Sequence, residues 1–522
     1  KQNIKPLSDA LAKQFGNTSS HYQQILRKAK ENKNRYALIV RNLDYSDYMA
    51  VKSFPLFNKG AYKGGLIIEQ KTKREHPLGK IAERSVGYER VDENGYRTRV
   101  GMEGAFGEYL RGIEGKRAKQ KIAKGLWKPI GNDNIIEPKD GYDVYSTIDI
   151  NIQDIAHHAL LKQLELYKAD HGTVIVMEVK TGEVKAIANL GQTAGGKYYE
   201  RLNYAIGESH EPGSTFKLMN LVAALEDKVI DTSSVMDTEN GTWKIYRHWV
   251  KDSKRGGYGK ISVAKAFEVS SNVAFAKMIH NGYKNDPEKY VNRLMSMGVH
   301  KELGLPVRGE GIPVLRYPGD KGWSGLSLAQ MAYGYEVSMT PLQTLAFYNA
   351  IANNGEMVKP RLLKEVKEWN KTIKKFDKKV LNPAICSQET VKKVQKILKD
   401  VVEKKHGTGH GMYSKNFSMA GKTGTTQTNY VSKDKDKYEY ISSFAGYFPA
   451  DNPMLIASAD NSYQGYYKNA QQQYAQMPNV QGMSGMDAVA ILENLGIEVE
   501  VKGNGRVKHQ SISKGTDIKN VK

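Results

Sequence analysis

The chain has 522 residues, 40% of them hydrophobic and 26% charged, ordinary values for a soluble globular protein and enough for roughly two to four domains. Its formal net charge of +22 points to an anionic neighbour, with a lysine-rich proteome bias as the competing explanation; no zinc-finger, RNP-type or other nucleic-acid motif supports a nucleic-acid partner. The single cysteine, Cys386, excludes an internal disulfide. No apolar run approaches the roughly 18–20 residues of a membrane span, and no signal peptide is visible.

The chain opens at Lys1 without a Met, so residues are expected to precede it. Residues 1 to about 60 are polar and rich in helix formers, and Ser20–Asn34 reads as an exposed helix. A short strand is expected over Gly64–Gln70, followed by Arg74-Glu-His-Pro-Leu-Gly79. Gly101, Gly104, Gly107, Gly112 and Gly115 are too scattered for a phosphate loop and read as loop and packing glycines. The basic run Lys116–Lys124 reads as a solvated face. Val144–Ile148 is expected to be a strand and Asp149–Tyr167 a long amphipathic helix. Gly172–Val179 is a β-rich run that turns at Lys180-Thr-Gly182 and returns over Glu183–Ala188, a hairpin central to a sheet.

After Pro212-Gly213, the run Leu218–Leu225 is apolar apart from Asn220, the pattern of a buried helix. A mixed region extends to Gly259. Helical pattern recurs at Ile261–Glu268, Val273–His280, Gly325–Met339, Leu342–Asn353 and Gln388–Lys404. Ser418–Gln427, Ile441–Phe448 and Met454–Ala459 read as three strands that end the sheet antiparallel. Gln471–Gln476 reads as a linker. A separate small unit is expected from Met477. It has a helix over Met486–Leu495 stopped by Gly496, a strand Ile497–Val501, a turn at Gly503-Asn-Gly505 and a strand Arg506–Gln510.

Ser214 stands at the mouth of the apolar helix, and Lys217 lies one turn in on the same face, because positions i and i+3 are neighbours. A hydroxyl beside a lysine that burial drives toward neutrality is a nucleophile next to its base. The plainer reading of Ser214 is an N-cap, and Ser-x-x-Lys recurs at Ser262–Lys265, Ser432–Lys435 and Ser511–Lys514. Ser270 and Asn272 are expected on a loop between helices, where either would also serve as a cap. Lys422-Thr423-Gly424 is expected on a strand. A second Ser-x-Asn lies at Ser414–Asn416, and the second Lys-Thr-Gly, at Lys180, sits in a hairpin turn. Order, spacing and expected context are what single out the set at 214, 270 and 422. It is similar to the Ser-x-x-Lys, Ser-Asp-Asn and Lys-Thr-Gly motifs of penicillin-binding proteins and class A β-lactamases, with Ser-Ser-Asn in the middle place.

From about Gly172 to Pro453 the chain resembles the transpeptidase domain of class B penicillin-binding proteins. Thr181-Gly-Glu183, Asn203-Tyr-Ala205, Trp323-Ser324 and Thr340-Pro-Leu-Gln343 add to the three motifs. Arg74–Gly79 and the Gly101–Gly115 block resemble that class's non-catalytic N-terminal module, and Asp149-Ile-Asn-Ile-Gln153 the start of its catalytic domain. Met477-Pro-Asn-Val-Gln-Gly482, with Ala488, Leu492, Leu495-Gly496 and Gly515-Thr516, resembles a PASTA domain. The combination looks most like a septal, cell-division transpeptidase of Gram-negative bacteria of the Bacteroides type. It implies a multidomain α/β and α+β chain. An α+β pedestal of dimerisation type would cover 1–140. A transpeptidase domain, with an antiparallel sheet flanked by helices, would cover 141–470, and a small α+β PASTA domain 477–522. Two features depart from the family. Its N-terminal membrane helix and early Asp-Arg-x-Gly stretch are not in this sequence. Its closing helix after the last strand gives way to Tyr-rich sequence, so the domain is expected to be trimmed, or residues to be missing, near Asn461–Ala470.

The resemblance implies a serine D,D-transpeptidase acting on stem peptides that end in D-Ala-D-Ala and acylated by β-lactams, with no metal and no organic cofactor. Ser214 is then the nucleophile and Lys217 its neutral base, with Lys422 nearby lowering the Lys217 pKa further. Ser270 relays a proton to the departing amine, and Asn272 binds a substrate amide. Lys422 and Thr423 suit the donor carboxylate, and Gly424 leaves room for a peptide added along the strand edge. The N–H groups of Ser214 and Thr425 are candidates for an oxyanion hole. The resemblance further implies a membrane-embedded glycosyltransferase and divisome proteins as partners. It also implies a single-pass anchor holding a soluble part at the periplasmic face of the inner membrane. Two rivals stay open. A β-lactamase or D,D-carboxypeptidase needs a base for water, and no Glu-x-x-Leu-Asn stretch lies between Asn272 and Lys422. A β-lactam sensor would keep the pocket without turnover.

Overall fold

The computed structural model describes residues 4–34, 37–43, 45–59, 63–67, 79–117, 119–123, 126–129, 135–136, 139–428 and 439–464, with isolated positions elsewhere. The chain divides into two compact units, Lys1–Pro77 and Leu78–Lys522. In the first, α1 (Ile4–Phe15), α2 (Ser19–Glu31) and α3 (Tyr45–Ser53) gather around Leu7, Leu11, Tyr22, Val51 and Phe57. Thr18 caps α2, its hydroxyl accepting from His21 N at 3.2 Å. The helix expected over Ser20–Asn34 is therefore present but not wholly exposed, since Tyr22, Ile25 and Leu26 turn into this core. No strand forms over the described Gly64–Ile67, where Gly65 takes a left-handed φ of +71° that a strand does not hold.

In the second unit the block read as loop glycines builds two short helices, Gly101–Ala105 and Gly107–Leu110. Packing requires the first glycine. At φ +60°, a Cβ on Gly101 would stand 2.7 Å from the Gly87 backbone. Met102 and Phe106 join the same core as the helix that follows Ser214, so the expected boundary at residue 140 runs through this unit. The run Lys116–Lys124 forms the strands Lys116–Arg117 and Lys119–Ala123.

The remaining elements that place the site are, in chain order, α4 (Ile150–Tyr167), β1 (His171–Glu178), β2 (Val184–Gln192), β3 (Tyr198–Tyr199), α5 (Lys217–Glu226), β4 (Thr242–Ile245), β5 (His248–Lys251), α6 (Val263–Glu268), α7 (Asn272–Tyr283), α8 (Pro341–Ala352), α9 (Gln388–Glu403), β6 (Ala420–Thr428), β7 (Glu439–Phe448) and β8 (Leu455–Gln464). The main sheet has six antiparallel strands in the order β3-β2-β1-β8-β7-β6, so β6 is an edge. The hairpin expected at 172–188 is β1–β2, and its Lys180-Thr-Gly182 is a turn, with Gly182 at φ +71°.

Helix α4 starts where the Asp149 carboxylate accepts from Asn151 N and Ile152 N. It covers one face of the sheet through Ala156, Leu160 and Leu164 against Ala186, Ala188 and Leu190. Each fully buried Leu contributes about 1.5–3 kcal/mol. Gln153 seals the contact by bonding both Ile187 N and Ile187 O. The sheet also packs against α8, through β7 and β8, and against α9, through β6, while α5 and α8 are buried along their whole length apart from Glu226. A capping box between Thr340 and Gln343, with Pro341 at the first helical position, starts α8.

Two expected helices are shorter than their pattern. Over Gly325–Met339 only Ser327–Met331 is helical, because Gly334 and Glu336 hold φ values of +87° and +58°, which end a right-handed helix. Over Ile261–Glu268, Lys260–Ser262 pairs with Val235–Asp237 as a strand, and Ser262 caps α6. Ser432–Lys435, the linker Gln471–Gln476, the helix Met486–Leu495 and most of the strand Ile497–Val501 lie outside the described residues. Val507–Gln510 is described and is not in a strand; the Gln510 side chain accepts from Val480 N and donates to Ile512 O.

Candidate active site

Ser214 lies inside a 3-10 turn, Gly213–Phe216, that runs into α5 at Lys217, and the turn has no side-chain cap. The copy of the same spacing at Ser262–Lys265 is a plain N-cap, with Lys265 N donating to Ser262 Oγ at 3.2 Å. Two glycines let the Ser214 turn sit where it does. Gly213, at φ +55°, is pressed on Thr426 Oγ1, and its carbonyl is pressed on Gly334. Tyr348 Oη donates to Thr215 O at 2.8 Å from below. Asn220, the polar exception in the apolar run, is fully used. Its Nδ2 donates to Met331 O and Ala332 O at 3.0 and 2.9 Å, and its Oδ1 accepts from Tyr290 Oη at 2.5 Å.

Lys217 is fully buried, and its Nζ meets four oxygens: Asn272 Oδ1 at 2.6 Å, Ser270 O at 2.8 Å, Ser214 Oγ at 3.1 Å and Ser270 Oγ at 3.2 Å. A neutral amine has two N–H donors and one lone pair. Asn272 Oδ1 and Ser270 O have no proton to give, so they take the two donors at the shortest distances. The lone pair is then left to the two hydroxyls, Ser214 and Ser270. Burial, and next the charge of Lys422, hold the Lys217 pKa well below the usual lysine range, while Asp252 pulls the other way. A neutral amine shared by two hydroxyls can take a proton from one and return it through the other.

Ser270 owes its place to the end of α6. Ser271 N bonds Ala266 O at 2.9 Å and Ser270 N bonds Phe267 O at 3.0 Å, the two bonds of a Schellman turn. The left-handed position of that turn, usually glycine, is Ser270 at φ +57°. Neither Ser270 nor Asn272 caps α7. That cap is Ser271, which accepts from Ala274 N and donates to Asp252. Asp252 also accepts from Val273 N at 3.0 Å, and Asn272 Nδ2 donates to Lys251 O at 3.0 Å.

Lys422 is the second fully buried lysine, and its Nζ donates to Thr423 O at 2.9 Å. Burial lowers its pKa to about 7. Phe275 and Phe267 supply the apolar walls. Each centroid stands 5.7 Å from one lysine Nζ, Phe275 from Lys217 and Phe267 from Lys422, and the two rings are 6.0 Å apart. Thr423 Oγ1 donates to Thr408 Oγ1 at 2.7 Å, and Thr425 is exposed on the edge strand. Gly424 pairs with Ser443, and a Cβ there would collide with Ser443 Oγ and approach Thr215 Cγ2 to 3.0 Å. Its missing side chain therefore serves the packing of the Ser214 turn on β6 rather than an opening at the strand edge.

Among the described residues no cluster of His, Cys, Asp and Glu could hold a metal. The family model of the penicillin-binding protein transpeptidase domain matches residues 172–476, more than half of the chain. The chain belongs to the penicillin-binding protein transpeptidase family. A PASTA domain model matches residues 475–521. The chain is 27% identical to stage V sporulation protein D of Bacillus subtilis, over 87% of its own length and 75% of the relative's. It is 26% identical to the peptidoglycan D,D-transpeptidase FtsI of Escherichia coli, over 84% of its own length and 70% of the relative's. The crystal structure of penicillin-binding protein 3 from Mycobacterium tuberculosis superposes with a TM-score of 0.62 at 25% identity, covering 76% of this chain and 85% of that one. The expected fold, an antiparallel sheet flanked by helices, is that of the family. In this member, the residues brought together are Ser214, Lys217, Ser270, Asn272 and Lys422, with Thr423 and Gly424 continuing along β6. Asp252 and Thr408 are the partners that sequence reasoning missed. Thr408 stands between Gly407 and Gly409, a sign of a tight turn, whereas nothing local marks Asp252.

Proposed function

We propose that this family member is a serine D,D-transpeptidase that cross-links peptidoglycan stem peptides during cell division. The observation that supports it best is the fully buried Lys217 amine set between the hydroxyls of Ser214 and Ser270. Lys217 takes the Ser214 proton as Oγ bonds to the carbonyl carbon of the penultimate D-Ala. The peptide bond to the terminal D-Ala breaks, and its nitrogen receives a proton through Ser270. An acceptor amine then attacks the ester, gives up a proton to the same relay and leaves Ser214 free. Lys422, Thr423 and the β6 edge hold the donor carboxylate and backbone, Asn272 orients the relay, and the N–H groups of Ser214 and Thr425 receive the oxyanion, each worth about 3–4 kcal/mol. No metal or organic cofactor enters these steps.

The reading extends to place and partners. The protein acts outside the cytoplasm, at the periplasmic face of the inner membrane, with a membrane-embedded glycosyltransferase and divisome proteins, and β-lactams acylate Ser214. Among the described residues no helix is long and apolar enough to cross a membrane. The functional modules proposed are a pedestal over 1–140, the transpeptidase over 141–470 and the PASTA module over 477–522. The test is intact-mass analysis after penicillin, followed by a thioester donor with and without a D-amino acid. The expected result is one stable adduct, absent in Ser214→Ala, and donor turnover that diverts to aminolysis when the amine is present. Rapid loss of the adduct would make the protein a β-lactamase, and a stable adduct without donor turnover would make it a sensor.

A further inference from the structure

A basic and aromatic hairpin borders the loop that carries Ser270 and Asn272. Strand register sets Lys244 opposite Trp249 and Thr242 opposite Lys251 on one face of β4–β5, while Ile245 and Val250 bury the other. Lys244 Nζ stands 5.7 Å from the Trp249 ring centroid, and Trp249 is 50% exposed. Residues 242–260 carry six cationic side chains, Lys244, Arg247, Lys251, Lys254, Arg255 and Lys260, all exposed, against one carboxylate, Asp252. Asp252 is taken by Ser271 Oγ and Val273 N, and the neighbouring Glu239 is taken by Lys277. So many like charges in one segment repel one another until an anion arrives.

The hairpin is also fixed in place. Lys251 O accepts from Asn272 Nδ2, and Asn272 Oδ1 accepts from Lys217 Nζ, so two hydrogen bonds join the strand to the candidate base. At the tip, the Tyr246 ring rests on Gly325, where a Cβ would stand 2.9 Å away. The Ser214 turn has β6 on one side, through Gly213 on Thr426 and Gly424 on Thr215, and the 270–272 loop on the other. With the donor peptide along β6, the hairpin would stand beyond the 270–272 loop, to which Asn272 Nδ2 and Ser271 Oγ tie it.

We propose that β4–β5 and the turn after it form the acceptor subsite, where the cations bind the free carboxylates of the acceptor stem peptide and Trp249 packs on its apolar part. This inference rests on the transpeptidase reading and names the chemistry by which that site selects its second substrate. It also gives part of the +22 net charge a local anionic partner.

The test uses the full chain, a thioester donor and two synthetic acceptor peptides of one sequence, one with free carboxylates and one with carboxamides. The variant is Arg247→Ala/Lys254→Ala/Arg255→Ala. In the wild type, KM for the carboxylate acceptor should be about eightfold lower, the product of about a twofold gain from each of three exposed contacts. The preference should fall to about twofold or less in the variant and weaken with added salt, while penicillin acylation of the variant matches the wild type. Equal KM values for the two acceptors in the wild type would overturn the proposal. So would a variant whose penicillin acylation falls as far as its acceptor use. If the wild type forms the acyl-enzyme but uses neither acceptor, the transpeptidase reading fails on its own. The subsite is then judged by quenching of Trp249 fluorescence in the penicilloyl-enzyme, with Trp249→Phe as reference. Quenching by the carboxylate peptide at lower concentration than by the carboxamide supports it, and equal quenching overturns it.

Discussion

Replacing Ser270 by alanine and, separately, by glycine divides the two burdens of that residue. Its hydroxyl lies 3.2 Å from Lys217 Nζ, and its backbone sits at φ +57° in the turn that ends α6. Both variants lose the hydroxyl, and both should lose acylation by penicillin by a similar factor, about 10²–10⁴ for a proton-relay group. They differ in strain. A left-handed backbone costs an L-residue with a Cβ about 1–2 kcal/mol, which glycine avoids. Glycine gives back about 0.5–1 kcal/mol through its greater freedom in the unfolded chain. The balance makes Ser270→Gly more stable than Ser270→Ala by about 0.5–1 kcal/mol, the reverse of their order inside a regular helix. Urea unfolding followed by tryptophan fluorescence, at a common slope, reads the order directly. An alanine variant as stable as the glycine variant would refute the strain argument. A glycine variant that keeps wild-type acylation would refute the relay.

Acylation by penicillin should fall as pH drops through the depressed pKa of Lys217, because protonation removes the lone pair that faces Ser214; a rate flat from about pH 5 to 9 would exclude a neutral-lysine base. Lys422 titrates at about 7 in the fold against an ordinary 10.5, so between those two pH values the unfolded chain holds the extra proton and stability rises with pH. Unfolding midpoints at pH 7, 8 and 9 should show that slope, and Lys422→Met should reduce it to the part that Lys217, whose pKa is also depressed, contributes. Gly424→Ala should destabilise the protein by about 1–3 kcal/mol through the collision with Ser443 Oγ, and adding Ser443→Ala should recover part of the loss in thermal melts. A chain ending at residue 476 should bind labelled penicillin as the full chain does; unfolding on truncation would place the PASTA module inside the catalytic fold.

Much of the site was legible because its chemistry is local. Ser214 and Lys217 are one turn apart, Lys422 to Gly424 are consecutive, and Asp149 announces α4 by an ordinary cap. What could not be read depends on partners far along the chain. The left-handed turn at Ser270 hides because the residue there is not glycine. The Gly325–Met339 pattern is apolar enough for a helix but is folded back at Gly334, where the backbone meets Gly213. The β4–β5 hairpin interleaves apolar and cationic positions with no clear period and gains its fixed place from Asn272, Ser271 and Gly325. The unit boundary near residue 78 is set by Met102 and Phe106 entering a core whose other members lie beyond residue 170.

The strand order carries a consequence for the timing of assembly. β8, the last strand, is inserted between β1, the first, and β7, pairing Leu455 with Glu178 and Ser462 with His171. A chain that emerges N-terminus first therefore exposes Ser214 and Lys217 long before β6, β7 and β8 exist to complete the sheet. Until then Lys217 lacks the neighbouring Lys422, which adds to burial in lowering its pKa. Closure across so long a loop is slow compared with the making of any helix in the layer above. On the proposed roles a stalled or clipped chain would keep its serine beside a lysine without that neighbour, so a covalent penicillin label should count finished molecules better than synthesised ones.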